Sequence, residues 1–485
     1  MKKIILAIVT CLFTGNFVSA QFIDTSDDRV KTYLDIPFKQ IGTIKPKNTI
    51  EIESSNWTIG CEVLDRDYAR FDAYKEYLPV LGVKKIRLQG GWAKTEKQLG
   101  VYNWAWLDSI IDYAVENGLK PWLEASYGNS LYNSGGVGLG GGIPITEEAL
   151  AGWDRWVEAM VTRYKDKVTE WEIWNEPSGQ TKEKAVNTPE RVAEFNIRTA
   201  EIIKRIQPHA EIAGLAMGSG SDTIYLDGFL KVIAEKDKLD LFKWISFHGY
   251  TMNPDDAYVG QARLEAVVRK YSDKLMLRQG ENGAPSGYCP DFTLKNYNWT
   301  EISQAKWDAR RMLGDLGRDT ESSIFSIIDM YYITKNMLNI KGLIQSDITL
   351  KALRPKIAFY TIQNIASVFD NKLERIADFK YKVEATESIS VFGYCNKTSG
   401  KQLVTLWLDE NIPNNTFETQ MVELIIENGN FKKPVWVDLF SGRIYEIPKA
   451  NWGKTGANFT FRIPVYDSPV LIADQSLITI EPKEK

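Results

Sequence analysis

Between Trp57 and Phe369, apolar strand-like runs alternate with amphipathic stretches of helical period, and no other feature constrains the fold as tightly. Strands are expected at residues 57–63, 84–89, 120–125, 168–174, 211–216, 243–248, 274–280 and 323–329. Eight is the number at which a parallel sheet closes on itself, so residues 57–370 are expected to form a (β/α)8 TIM barrel. The intervening segments carry one apolar face each. Phe71, Tyr74, Leu78 and Leu81 recur at helical spacing and stop at Gly82, while Leu107, Ile110, Ile111, Ala114 and Val115 stop at Gly118. Thr188-Pro189 reads as a cap followed by proline at the first helical position.

After the helix expected near residues 355–369, the pattern changes to short alternating strands separated by turn residues. Runs at 404–409, 422–426, 435–439, 443–447, 459–465 and 469–473 predict a C-terminal β-sandwich over residues 371–485. Residues 21–56 are polar and strand-like, and are expected to add an edge strand to it. Met1-Lys2-Lys3 and the apolar run after it, ending at Val18-Ser19-Ala20, read as a signal peptide over residues 1–20. The chain is therefore expected to be exported, periplasmic or extracellular, from a bacterium. Without the leader, Cys61, Cys289 and Cys395 remain, too few for a disulfide framework.

Two histidines, His209 and His248, leave little from which to build a His-rich metal site, and no metal or organic cofactor is expected. The net charge of −4 argues against a nucleic-acid partner, and no second long apolar run suggests a membrane span. Oligomeric state is left open. Most of the 15 tryptophans are expected in the core, with a few facing a sugar. Gly136 to Gly141 matches G-x-G-x-x-G, but Gly142-Ile143-Pro144 separates it from any helix, so the segment reads as a catalytic-face loop and not a dinucleotide fingerprint.

In such a barrel every strand's C-terminal end opens on one face, where catalytic groups collect. Two carboxylates stand at such ends. Glu176 follows the apolar run Trp171-Glu172-Ile173-Trp174 and lies between Asn175 and Pro177; Glu281 follows Gln279-Gly280. The aromatic and proline around Glu176 predict poor solvation and a raised pKa, suited to proton donation. The two acids lie three βα units apart and should face each other across the mouth. Paired carboxyls in that arrangement suit glycoside hydrolysis. Glu172 has the same strand orientation but lies deeper, and reads either as a buried structural acid or as a rival for the catalyst, Glu176 being preferred because it lies nearer the open end.

Trp174-Asn175-Glu176-Pro177, Phe247-His248-Gly249-Tyr250 and Gly280-Glu281-Asn282-Gly283 resemble the fourth-, sixth- and seventh-strand motifs of the retaining glycoside hydrolases of clan A. Ile86-Arg87-Leu88 resembles the clan's second-strand arginine. Residues 435–439 with 464–469 resemble the sandwich of the β-xylosidase/α-L-iduronidase branch. The resemblance implies cleavage of β-linked glycosides by double displacement, with Glu176 as acid/base and Glu281 as nucleophile. It implies that Asn175 binds the sugar 2-hydroxyl, that Tyr250 donates to Glu281, that Arg87 keeps Glu281 ionised and that His248 lines the sugar pocket. The chain departs from the clan where the eighth strand lacks its tryptophan, and where Gln279-Gly280 precedes the second acid. Tyr331 or Trp299 would then supply the sugar platform. Trp92, Tyr127 and Asn129, just past strand ends, complete the candidate substrate contacts. A catalytically inactive carbohydrate-binding barrel and an endo-acting polysaccharide hydrolase of the same clan are the alternative readings.

Overall fold

In the computed structural model, which describes residues 30, 32–179 and 186–482, a closed parallel barrel occupies the centre of the chain. The expected leader lies outside the described residues. A first strand, β1 (Lys39–Ile44), precedes the barrel. The barrel strands are β2 (Trp57–Gly60), β3 (Lys85–Gln89), β4 (Lys120–Ala125), β5 (Glu170–Ile173), β6 (Glu211–Met217), β7 (Trp244–His248), β8 (Met276–Asn282) and β9 (Glu321–Ile324). Each pairs with the next in parallel, and β2 closes on β9.

The connecting helices follow the sequence signals with one exception. Thr188 caps the helix Pro189–Ile206 by accepting from the Arg191 N–H, with proline at its first turn. Gly82 ends the helix Tyr77–Leu81 at φ 77°, a conformation that favours glycine. The single helix expected from Phe71 to Leu81 is instead broken into Phe71–Tyr74 and Tyr77–Leu81. Pro79 has no N–H to continue the ladder back to Lys75.

The eighth barrel strand also departs from expectation, ending at Ile324 instead of running to residue 329. Asp329 is buried and takes an ion pair from Lys356 at 2.6 Å and the Gly342 N–H at 3.0 Å. Those partners lie beside the barrel, and the chain leaves the sheet to reach them. An antiparallel hairpin follows, β10 (Met330–Tyr332) with β11 (Met337–Asn339).

The C-terminal region packs an eight-stranded antiparallel sheet against a four-stranded one. The six expected strands are present, joined by Leu373–Arg375, Tyr381–Glu384, Ile389–Asn396, Trp452–Thr455 and Ile480–Pro482. β1 joins the larger sheet between Arg443–Glu446 and Ile480–Pro482, so it is one strand in from the edge and not the edge strand expected. The barrel and sandwich share one core. The helix Glu301–Leu316 is buried on nearly every face, and two of its three cations reach into the sandwich side: Lys306 pairs with Asp467 at 2.6 Å and Arg310 bonds the Asp409 and Asn411 carbonyls. Trp407 and Trp436 are fully buried in the sandwich, and Trp57, Trp122, Trp153, Trp156, Trp171 and Trp244 in the barrel. Burying side chains of this size contributes about 2–3 kcal/mol each relative to exposure, which accounts for most of the tryptophan content.

No helix among the described residues is long and apolar enough to cross a membrane. The three described cysteines are unpaired thiols.

Candidate active site

Glu176 and Glu281 meet at the C-terminal mouth of the barrel. One carboxylate oxygen of each, together with a ring nitrogen of His248, lie within 4.8 Å of one another. Local backbone features bring them there. Glu176 sits just beyond β5 at φ 49°, and Trp174 at φ 64°, both in the left-handed region that costs a non-glycine residue of order 1–2 kcal/mol. The Glu176 N–H bonds the Ala216 carbonyl at 2.8 Å, and Gly218 packs against the Glu176 side chain, where an added Cβ would come within 3.1 Å of its carboxyl carbon. In β8 the register slips at Gly280, which places Glu281 opposite His248. Gly280 is needed for that bulge because a Cβ there would lie 2.3 Å from the Ser246 hydroxyl oxygen.

Each acid is held differently. Glu281 accepts from the Tyr250 hydroxyl at 2.7 Å through Oε1 and from Arg87 Nη1 at 3.3 Å through Oε2. Its backbone carbonyl accepts from Gln279 Nε2 at 2.6 Å, and Asn282 Nδ2 in turn bonds Gln279. Glu176 faces His248, whose Nδ1 is 2.8 Å from Oε1. Burial pushes the Glu176 pKa up, but the His248 hydrogen bond and charge, with Arg87 behind, outweigh it and hold the carboxyl below its ordinary range. The raised pKa expected from Trp174 and Pro177 is thereby corrected. Burial pulls His248 down, yet Glu281 and Glu176 together raise it. Both shifts favour the imidazole over the carboxyl as the seat of a shared proton.

Arg87 is fully buried beneath the two acids and faces four carboxylates: Glu172 at 2.7 Å, Glu62 at 3.0 Å, Glu281 at 3.3 Å, and Glu124. One cation cannot balance four anions. Burial, with the nearby Glu281 charge, raises Glu62 to about 7 against the pull of Arg87, and burial raises Glu124 as well. Arg87 Nη2 also donates to Asn175 Oδ1 at 2.8 Å, which fixes the amide so that its Nδ2 end is left to donate elsewhere. Glu172 is a buried ligand of this arginine, the deeper structural acid that its strand position suggests.

The other expected contacts divide. Tyr127 is buried near the pair, its hydroxyl accepting from Gln89 and its ring edge-on to Trp174. Trp92 is fully buried, stacked between Tyr132 and Trp156 with its indole N–H donating to Glu96, and has no face for a sugar. Asn129 spends its amide on the Glu96 carbonyl and the Leu131 N–H. Trp299 is packed with Leu294 and Trp307, its N–H on the Leu294 carbonyl. Tyr331 bonds Asn336 on the outer side of the hairpin. Trp92, Asn129 and Trp299 are corrections: each is buried and spent on packing or hydrogen bonds inside the protein, away from the two acids.

Its neighbour Tyr332 points the other way, as strand alternation requires. Burial raises its phenol to about 12, with Glu281 and Glu62 adding to the rise and Arg66 opposing it. Arg66 lies over the Tyr127 ring at 4.9 Å and donates to Gln89. Asn187 also went unrecognised in the sequence. Its amide donates to the Pro177 and Gly141 carbonyls and accepts from the Ile143 N–H, tying the glycine-rich loop to the segment after Glu176. Asp65 and Asp67 are ion-paired to Arg66 and Lys94.

Glu176, His248 and Glu281 are also the set among the described residues whose atoms are close enough to hold a cation. Their facing oxygens serve instead as acceptors for Tyr250, Arg87 and His248.

Residues 64–278 match the family model described as glycosyl hydrolases family 39. A β-xylosidase of Geobacillus stearothermophilus is 27% identical over 159 residues, 31% of this chain; the match spans about a third (31%) of that protein's length. A family 39 glycoside hydrolase from the gut symbiont Bacteroides cellulosilyticus WH2 superposes with TM-score 0.58 at 17% identity, covering 87% of this chain and 81% of that one. A monomeric β-xylosidase from Caulobacter crescentus CB15 superposes with TM-score 0.55 at 15% identity, covering 89% and 97%. The structural likenesses establish the shared barrel-and-sandwich fold. The match across residues 64–278 takes in the Asn175-Glu176 motif, and over that stretch this chain is similar to glycosyl hydrolases family 39.

Proposed function

We propose that this chain is an exported retaining glycosidase that hydrolyses β-linked glycosides, with β-xylosides the first substrates to test. The carrying observation is the approach of the Glu176 and Glu281 carboxylate oxygens to within 4.8 Å. Retaining enzymes hold their carboxyl groups about 5–5.5 Å apart, whereas inverting enzymes need roughly 6.5–9.5 Å to admit a water. The β-xyloside assignment takes its support from the Geobacillus stearothermophilus relative, and export from the leader-like residues 1–20.

Glu281, oriented by Tyr250 and Arg87, attacks the anomeric carbon, forming a glycosyl ester as the bond to the leaving oxygen breaks. The leaving oxygen takes the proton shared by Glu176 and His248. As Glu281 loses its negative charge to the ester, His248 loses the anion that supported its proton, so the proton moves through Glu176 to the departing alkoxide. The pair is then proton-free and accepts a proton from water, which attacks the ester and releases the sugar and the Glu281 carboxylate. The restored charge on Glu281 again favours a protonated His248, and the cycle closes. Asn175 Nδ2, left to donate by the Arg87 contact on its oxygen, binds the sugar 2-hydroxyl in this reading, where transition-state contacts strengthen.

Proton NMR of the first product formed from an aryl β-xyloside tests this reading. The β-anomer should appear first and mutarotate later; the α-anomer appearing first would refute double displacement.

A further inference from the structure

Behind the nucleophile lies a fully buried lysine that the mechanism above does not use. Lys341 follows the β10–β11 hairpin and is 2% exposed. Its ammonium donates to the Gly283 carbonyl at 2.7 Å, two residues after Glu281, and lies 4.8 Å from the centre of the Tyr250 ring. Tyr250 is the residue whose hydroxyl donates to Glu281. One buried cation thus touches both the segment that carries the nucleophile and the phenol that orients it. The same segment is gripped by the neighbouring Asp308, whose Oδ1 accepts from the Ala284 N–H at 3.2 Å. Gln304 donates to the Ala284 and Lys341 carbonyls and so joins the two.

A buried ammonium is expensive to keep even beside a carbonyl, a ring and the nearby Asp308, Cys289 and Glu281, and a methionine would fill the same space without that cost. Its retention calls for a use of the charge. A cation over a phenol face draws electron density from the ring and makes the hydroxyl a stronger donor. In the low-dielectric interior it also acts directly on Glu281.

We propose that Lys341 is a positioning residue for the nucleophile, fixing the Tyr250–Glu281 hydrogen bond and supplying a further positive charge behind Glu281 in addition to Arg87 and His248. Several groups face its ammonium. Asp308 approaches from the helix Glu301–Leu316, Cys289 and Glu281 from β8 and the loop after it, and Tyr250 from the end of β7; Lys356, itself paired with Asp329, lies behind Asp308. Burial pulls Lys341 down to about 7 against the pull of Asp308, Cys289 and Glu281, and burial pushes Asp308 up to about 8. The pair holds its proton below neutrality, so the charge is present across the acid side of the pH range.

This inference rests on Glu281 being the nucleophile. The test is the pH profile of kcat/KM for the full chain and for Lys341→Met. Loss of the cation should move the acid limb up by about 0.5–1 pH unit, since an anion that has lost a nearby positive charge takes a proton sooner. Lys341→Gln, which can still donate to the Gly283 carbonyl, carries the same expectation should the methionine variant fail to fold. A folded variant whose activity falls equally at every pH, with the limb unmoved, would reduce Lys341 to a packing role and overturn the proposal. If the wild-type product forms with inversion, the mechanistic reading fails instead, and the two failures are separable.

Discussion

The barrel interior holds two buried charge clusters, one at each end, and they are built on opposite principles. Near the N-terminal ends of the strands, Lys85 and Arg278 face Glu170 and Glu321, two cations for two anions, with the Arg278 guanidinium stacked between Trp122 and Trp244 at 4.2 and 3.9 Å. Near the C-terminal ends, Arg87 alone faces Glu62, Glu124, Glu172 and Glu281. The balanced cluster lowers its carboxylates: burial raises Glu170, but Arg278 and Lys85 prevail and hold it at about 2. The unbalanced cluster raises two of its own, Glu62 and Glu124. Balanced charge secures the closed end; unbalanced charge leaves the open end with protons and field to use.

The sharpest way to break this contrast is to make the same change at both ends. Glu281→Gln should lower kcat/KM by at least about 10⁴-fold, roughly 5.5 kcal/mol of barrier, without reducing the melting temperature. Glu321→Gln should do the reverse, costing about 3 kcal/mol of stability by leaving a buried cation short of a partner while the folded fraction keeps its activity. Steady-state kinetics and denaturant unfolding on both variants check this. An active Glu281→Gln would undo the division of roles.

A smaller effect separates the acid from its imidazole partner. Glu281 and Glu176 together raise the His248 pKa, so the proton that the pair donates is lost only above the ordinary histidine range. The alkaline limb of kcat/KM should therefore lie above about 6.5 and move in His248→Phe. Loss of activity should be about 10²-fold or more with poor leaving groups and slight with dinitrophenolate. Equal loss on both would remove His248 from proton delivery.

The smallest effect is in stability against pH. Glu170 is depressed, so its contribution is present above the unfolded carboxylate value near 4.3 and is lost as pH falls toward about 2. Glu62 is raised to about 7, so the native state holds its proton longer than the unfolded chain does, and stability falls as pH climbs from about 4.3 to 7. Glu62→Gln should flatten that fall by an amount on the order of 2 kcal/mol between pH 5 and 7, read by urea unfolding. An unchanged slope would mean that Glu62 is ionised throughout.

The barrel was legible because eight apolar runs alternate with helical faces, and the two acids because each ends such a run. Arg87 could be named from its strand, but the carboxylates around it could not. Glu62 comes from the turn after β2, Glu124 from β4 and Glu172 from β5, and only closure of the sheet brings them to one guanidinium. His248 was expected to line the sugar pocket; its contact with Glu176 joins the end of β7 to a left-handed turn just past β5, which a single sequence does not display. Lys341 was invisible for a similar reason, lying 60 positions from Glu281 in a loop whose path depends on where β9 stops. Trp92 and Asn129 are misplaced because nearness to a strand end in sequence does not say whether a side chain faces the mouth or the surrounding helices, and Trp299 because a loop's path is not set by its own residues.

Peptide mapping by mass spectrometry after reaction with an activated 2-deoxy-2-fluoro-β-xyloside, or with the glycone that reacts if xylose does not, tests the central claim most directly. A single sugar ester on Glu281, absent from Glu281→Gln and formed while Glu62, Glu172 and Glu176 stay unlabelled, is the result expected. An ester on any of those three carboxylates would contradict the assignment of the nucleophile and, with it, the chemistry drawn from this pair.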